Sequence, residues 1–137
     1  ILKENFEIYL NSHTDINFKL NNQYNDLFCF IDKFQMSLVL INLTKNAIEA
    51  VKKLKNPSVT FEVYKDEKNI ILNIIDNGIG IDKDKINKIF MPYYTTKDKG
   101  TGLGLSICKK IIEDHGGEIS MKKNKLSGST VTVLLPI

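Results

Sequence analysis

Asn56-Pro57-Ser58-Val59-Thr60-Phe61-Glu62-Val63, followed after a short polar turn by Ile70-Ile71-Leu72-Asn73-Ile74-Ile75-Asp76, is the stretch that decides the fold. Asn-Pro ends any helix before it, because proline pushes the preceding residue out of the helical region and has no N–H to continue the ladder. Val59, Phe61 and Val63 then alternate with Thr60 and Glu62, the period-two pattern of a half-buried strand. Asp66 to Lys68 reads as a turn and Ile70 to Ile75 as a second, more buried strand, so the pair forms a hairpin. Upstream, about Lys33 to Leu54 carries the longest helical periodicity, with Asp32 placed to cap it. Leu27 to Ile31 is a short apolar run, Ile16, Phe18 and Leu20 alternate as a strand, and Ile1 to Leu10 reads as helix. Downstream, a short helical pattern falls around Lys83 to Phe90. Leu103 to Asp114 is a helix ended by Gly116-Gly117, and strands near Glu118 to Lys122 and Thr130 to Leu135 form a second hairpin across Asn124 to Ser129. Helices interleaved with hairpins give an α+β fold: a two-layer α/β sandwich with helices on one face of a mixed, mostly antiparallel sheet.

The 137 residues suit one domain, 1–137, with a single core. At 42% hydrophobic and 26% charged, with a net charge of +3, the chain is neither disordered nor a strong polyanion binder, so no nucleic-acid partner is expected. All 19 basic residues are lysine, so any phosphate contact uses mobile point charges and backbone N–H groups rather than guanidinium forks. No run is long and apolar enough for a spanning helix and no leader pattern opens the chain, which reads as a cytoplasmic fragment of a longer protein without membrane contact of its own. Cys29 and Cys108 stand too far apart for a zinc motif and are expected as reduced, buried thiols.

Three stretches carry candidate chemistry. On the long helix, Met36, Leu40, Leu43, Ala47, Val51 and Leu54 form a core stripe, and Asn42, Asn46 and Glu49 share another face, either merely solvated or facing a ligand. Asp76-Asn77-Gly78-Ile79-Gly80-Ile81 places an acid at a strand end before two glycines. That is an ordinary turn composition, or else an acceptor for an exocyclic amine beside glycines that let a flat ring approach the backbone. Gly100-Thr101-Gly102-Leu103-Gly104-Leu105 runs into a helix and reads as a flexible loop or as an anion cradle of freed N–H groups at the positive helix end. It is neither a Walker A loop nor a dinucleotide fingerprint.

With Ile89-Phe90-Met91-Pro92-Tyr93-Tyr94-Thr95-Thr96-Lys97 as a fourth element in order, the pattern resembles the ATP-binding catalytic domain of sensor histidine kinases, in the superfamily of gyrase, a heat-shock chaperone and mismatch-repair ATPases. Asn42 to Ala47 is similar to that family's asparagine box, Asp76 to Gly80 to its first glycine box, Phe90 to Lys97 to its phenylalanine box, and Gly100 to Leu105 to its second glycine box. Ser127-Gly128-Ser129-Thr130 is similar to its final, looser signature. The resemblance implies a Bergerat-type ATP-binding fold with an ATP lid over about 78–102. Asn46 would ligate Mg²⁺ with Asn42 assisting, Asp76 would hold the adenine amine, Gly80 would back the ring, and Ser129 would offer a hydroxyl near the base. Gly100, Gly102 and Gly104 would wrap the triphosphate, and Lys97 or Lys99 would neutralise its γ end. Gly78, Tyr94, Thr95, Thr96, Thr101, Leu103 and Leu105 fall within the same nucleotide-binding boxes, and Glu49, one turn beyond Asn46 on the same helix face, would join them at the nucleotide.

Hydrolytic members of this superfamily are similar to one another in carrying a glutamate one turn before the metal asparagine; here that position is Asn42. An amide cannot take a proton at neutral pH, and losing a positioned base removes about 10²–10⁴ in rate. The implied reaction is therefore γ-phosphoryl transfer to a histidine of a separate dimerisation domain, with Asn42, Asn46 and Lys97 catalytic, and onward transfer to a response-regulator aspartate. The alternative is an anti-sigma-factor-like serine kinase or a non-catalytic ATP-dependent switch of the same fold. His115, before Gly116-Gly117, reads as structural. His13 lacks the continuation of an acceptor motif, so the acceptor histidine is expected outside this chain. Leu38 where relatives often have glutamine, and Tyr93-Tyr94 for a phenylalanine-rich pair, are the departures.

Overall fold

A computed structural model of the chain describes residues 1–95 and 102–137. Among them run α1 (Leu2–Ser12), β1 (Asn17–Asn22), α2 (Lys33–Val51), β2 (Ser58–Lys65), β3 (Asn69–Asp76), α3 (Gly104–Asp114), β4 (Glu118–Lys123) and β5 (Ser129–Pro136). The five strands form one sheet in the order β1-β2-β3-β5-β4. β1 and β2, joined through α2, pair in parallel, and the other neighbours are antiparallel. The expected α+β sandwich with a mixed, mostly antiparallel sheet is what the chain forms.

The expected hairpin is β2–β3, with Phe61 opposite Ile74 and Val59 opposite Asp76. That register places Asp76 on the same face as the core, because Val59, Phe61 and Ile74 are all buried there. β3 is less buried than expected, with Ile74 and Asp76 its buried residues, since its other face lies on the side of the sheet away from the core. Val39, Leu43 and Val51 of α2 and Cys108, Ile111 and Ile112 of α3 close the core over the sheet. Fully burying residues such as Leu43 and Phe61 stabilises by about 1.5–3 kcal/mol each.

Asp32 caps α2 as expected, its side chain accepting from Gln35 N at 2.9 Å. The helix ends at Val51 rather than Leu54, the chain turning before Pro57. The helical pattern over Lys83 to Phe90 becomes a succession of turns, with bonds from Lys85 N to Asp82 O and from Lys88 N to Lys85 O. Ile89 alone of that segment is buried, so no apolar face holds so short a helix together. Cys108 is buried as expected, but Cys29 is only half-buried. It sits in an extended segment whose Phe28 and Phe30 point to solvent.

Candidate functional site

Asp76 ends β3 and is 8% exposed. Its Oδ1 accepts from Gly78 N at 2.9 Å and from Ser129 N at 3.3 Å. Burial pushes its carboxyl above the usual carboxylate range, and the Gly78 and Ser129 N–H groups pull in the opposite direction without cancelling it. Both bonds fall on Oδ1, so Oδ2 is the oxygen that remains for an incoming donor. The main chain of Asp76 is also held: Asn124 Nδ2 donates to its carbonyl at 3.2 Å, and Asn124 Oδ1 accepts from Thr130 Oγ1 at 2.6 Å.

The glycines around Asp76 are required by protein, in the direction a side chain would take. A Cβ on Gly78 would lie 2.5 Å from Ala50 O in the last turn of α2. Gly80 has φ +78°, and its Cβ would meet Gly128 O at 2.9 Å. Gly128 has φ +82°, and its Cβ would stand 1.9 Å from Asp76 O. Whatever room they leave for a flat ring, these glycines let three pieces of backbone meet behind the acid. Asn77 closes the same corner, accepting from Ser58 N at 2.9 Å and donating to Asn56 O at 2.7 Å.

The second cluster lies where α2 meets α3. Asn42 and Asn46 are half-buried and Glu49 is exposed on one side of α2. Asn42 Nδ2 donates to Leu38 O at 2.9 Å, and its Oδ1 faces Gly104, where a Cβ would sit 3.1 Å from that oxygen. Gly104 thus brings the first turn of α3 onto the carboxamide face of α2. The N-cap residue of that helix, Leu103, makes no side-chain capping bond, and the helix start carries the positive end of the helix dipole. Among the described residues no three His, Cys, Asp or Glu side chains gather into a metal cluster. The carboxamide oxygens of Asn42 and Asn46 are neutral oxygen donors of the kind that a hard cation such as Mg²⁺ accepts.

Tyr94, Thr95, Gly102, Leu103 and Leu105 flank this second cluster in sequence, while Thr96, Lys97, Lys99, Gly100 and Thr101 lie outside the described residues. Ser129 is buried and meets Asp76 through its backbone N–H; its hydroxyl, the group expected near the base, is not the one that makes this bond. His115 is structural: Nδ1 faces Ile111 O at 2.7 Å and Nε2 accepts from Asp32 N at 2.9 Å, which requires the neutral ring with its proton on Nδ1. It ties the end of α3 to the start of α2. His13 packs beside Tyr9 and Phe18 at the end of α1. Asn124, Gly128 and Thr130 were not singled out by sequence as partners of Asp76. The turn composition of Asn124 to Ser129 was visible, but its target 48 residues away was not. Asp76 also lines a cleft of about 380 Å³, together with Ser58, Thr60, Ile75, Asn77, Asn124, Lys125, Leu126 and Ser127.

Residues 31–137 match the family described as histidine kinase-, DNA gyrase B-, and HSP90-like ATPase. Among curated proteins, sporulation kinase E of Bacillus subtilis (strain 168) is 40% identical over 103 residues, covering 75% of this chain and 14% of that protein. The catalytic domain of histidine kinase ThkA superposes with a TM-score of 0.88 at 33% identity, covering 98% of this chain and 90% of that one. ThkA in complex with the response regulator protein TrrA gives 0.84 at 29% identity, covering 98% of this chain and 39% of that one. The chain spans between 14% and 26% of the length of the curated relatives it matches. It belongs to the histidine kinase-, DNA gyrase B- and HSP90-like ATPase family, as an ATP-binding catalytic domain of the histidine-kinase type.

Proposed function

We propose that this domain binds Mg-ATP with the adenine amine at Asp76 and the phosphates between the Asn42/Asn46 face of α2 and the start of α3, and donates the γ-phosphoryl group to a histidine of a separate dimerisation domain. The observation that carries the reading is Asp76: a buried acid whose Oδ1 is fixed by two N–H groups, leaving Oδ2 to accept a donor. An amine satisfies that oxygen, whereas a carbonyl there would leave it unpaired, a difference of about 1.5–3 kcal/mol for a charged acceptor.

On the phosphate side, Asn46 with Asn42 would hold the magnesium ion, which supplies charge neutralisation on the phosphate oxygens. N–H groups at the start of α3, and Lys97 or Lys99, would add to it. Transfer breaks the bond between the γ-phosphorus and the β–γ bridging oxygen, forms a phosphorus–nitrogen bond to imidazole, and leaves ADP. Asn42 offers no base to activate water, so ATP persists until the histidine is presented. The complex of ThkA with TrrA supports onward transfer to a response-regulator aspartate as the next step for this chain.

The test supplies a dimerisation domain in trans with radiolabelled ATP and follows transfer. The expected product is stable in base and labile in acid, and Asn46→Ala lowers its yield at least about tenfold while the Mg²⁺ dependence of ATP affinity disappears. Acid-stable, base-labile phosphate would point to a hydroxyl acceptor and contradict the proposal.

A further inference from the structure

Tyr93 is the one non-glycine residue with positive φ among the described residues, at +65°. A side chain in this region crowds its own backbone, so the conformation persists only where the surroundings impose it. The surroundings here are Gly102, itself at φ +71°. A Cβ on Gly102 would lie 2.3 Å from Tyr93 C, 2.6 Å from its Cα and 2.7 Å from its O. Two left-handed pieces of main chain therefore meet with no side chain between them. Two residues beyond Gly102, Gly104 makes its close approach to Asn42 Oδ1, and the Asn42 amide is anchored on Leu38 O. A line of close contacts thus runs from Tyr93 through Gly102 and Gly104 to the carboxamide face of α2.

We infer that Tyr93 is a positioning residue: its left-handed backbone seats Gly102 and, through it, sets the distance between the start of α3 and Asn42 on the phosphate side of the site. The inference rests on the proposed placing of the phosphates there. It also gives Gly102 a packing role in addition to the triphosphate contact expected of it. Tyr93 as a whole is 77% exposed, so side-chain packing contributes little and the backbone carries the effect. Substitutions at 93 should then rank by their tolerance of positive φ, not by size or aromaticity. Glycine and asparagine adopt it readily, and β-branched isoleucine resists it.

The experiment compares Mg-ATP with adenosine, which has no phosphates, by amide-shift titration of Tyr93→Phe, Tyr93→Asn, Tyr93→Gly and Tyr93→Ile, each with a thermal melt. Phe, Asn and Gly variants should keep the wild-type ratio of Mg-ATP to adenosine affinity, and Ile should lower it about tenfold with adenosine binding unchanged. Loss of the ratio in the Asn and Gly variants, with Phe unaffected, would mean that the ring matters and overturns the inference, and so would an unchanged ratio in Ile. If the Ile variant does not fold, Tyr93→Ala, which adopts positive φ less readily than glycine or asparagine, takes its place: its ratio should fall, and an unchanged ratio overturns the inference. Wild-type protein that binds adenosine and Mg-ATP equally well would instead overturn the placing of the phosphates, whatever the variants do.

Discussion

The Asp76 corner, proposed as the base side, and the α2–α3 face, proposed as the phosphate side, are built by different means. Asp76 is buried, and its side chain and carbonyl are both held by groups from the β4–β5 hairpin, with Gly128 packed flat against it. Asn42, Asn46 and Glu49 sit half-buried or exposed on a helix face, beside a helix start without a side-chain cap. The difference follows from what each end must recognise. An amine is told from a carbonyl by one acceptor in one place, so the acceptor is fixed by short backbone bonds and partly desolvated. On the proposed reading, phosphate charge would be met by a metal ion, helix-start N–H groups and lysine point charges, none of which needs a rigid wall.

Two alanine substitutions should expose that contrast most strongly. Gly128→Ala puts a Cβ 1.9 Å from Asp76 O at φ +82°, and urea unfolding should register a loss of about 2–5 kcal/mol. Gly104→Ala, whose Cβ meets only the end of an amide side chain at 3.1 Å, should cost under about 1 kcal/mol. Equal costs would mean that the base side is no more tightly built than the phosphate side.

Asn124→Ala comes next in size. It removes the bond to the Asp76 carbonyl and the acceptor of Thr130 Oγ1, and about 1–2 kcal/mol of stability should go with them. Isothermal calorimetry should also find weaker binding of adenosine, since the acid loses its brace; unchanged affinity would confine Asn124 to the turn.

The smallest effect is pH-dependent. Because the carboxyl of Asp76 is raised in the folded chain, the native state holds its proton more tightly than the unfolded one. The contribution of Asp76 to stability is therefore fully present below the ordinary carboxylate pKa and is lost as pH rises through the raised value. ATP affinity runs the other way, falling as acidification protonates the acceptor. Urea melts and titrations from pH 7 downward should show the two trends with opposite sign; parallel trends would argue that Asp76 is not the group being titrated.

How much of this was legible in sequence depends on whether the cause was local. Alternation at Val59, Phe61 and Val63 announced β2, Asp32 announced the start of α2, and Gly116, at φ +75°, announced the end of α3. Asp76 could be picked out because an acid ending an apolar strand is conspicuous. The reasons for Gly78, Gly80 and Gly128 could not be read, because each is set by a carbonyl brought close only by the fold: Ala50, Gly128 and Asp76 respectively. Lys83 to Phe90 misled for a related reason: its periodicity was helical, but tertiary packing gave it only Ile89 to bury. Tyr93 carried no sequence signal, since nothing in Met-Pro-Tyr-Tyr announces a left-handed tyrosine.

The account turns on Asp76 as the acceptor for adenine, and calorimetry of Asp76→Asn tests it most directly. An asparagine must keep its Oδ1 toward Gly78 N and Ser129 N, which turns its Nδ2 donor to where Oδ2 stood, facing the amine donor to donor. The variant should lose ATP binding by about 100-fold or more while melting no lower than the wild type at neutral pH, because a buried charge has been removed. A well-folded Asp76→Asn protein that binds Mg-ATP with wild-type affinity would contradict the account.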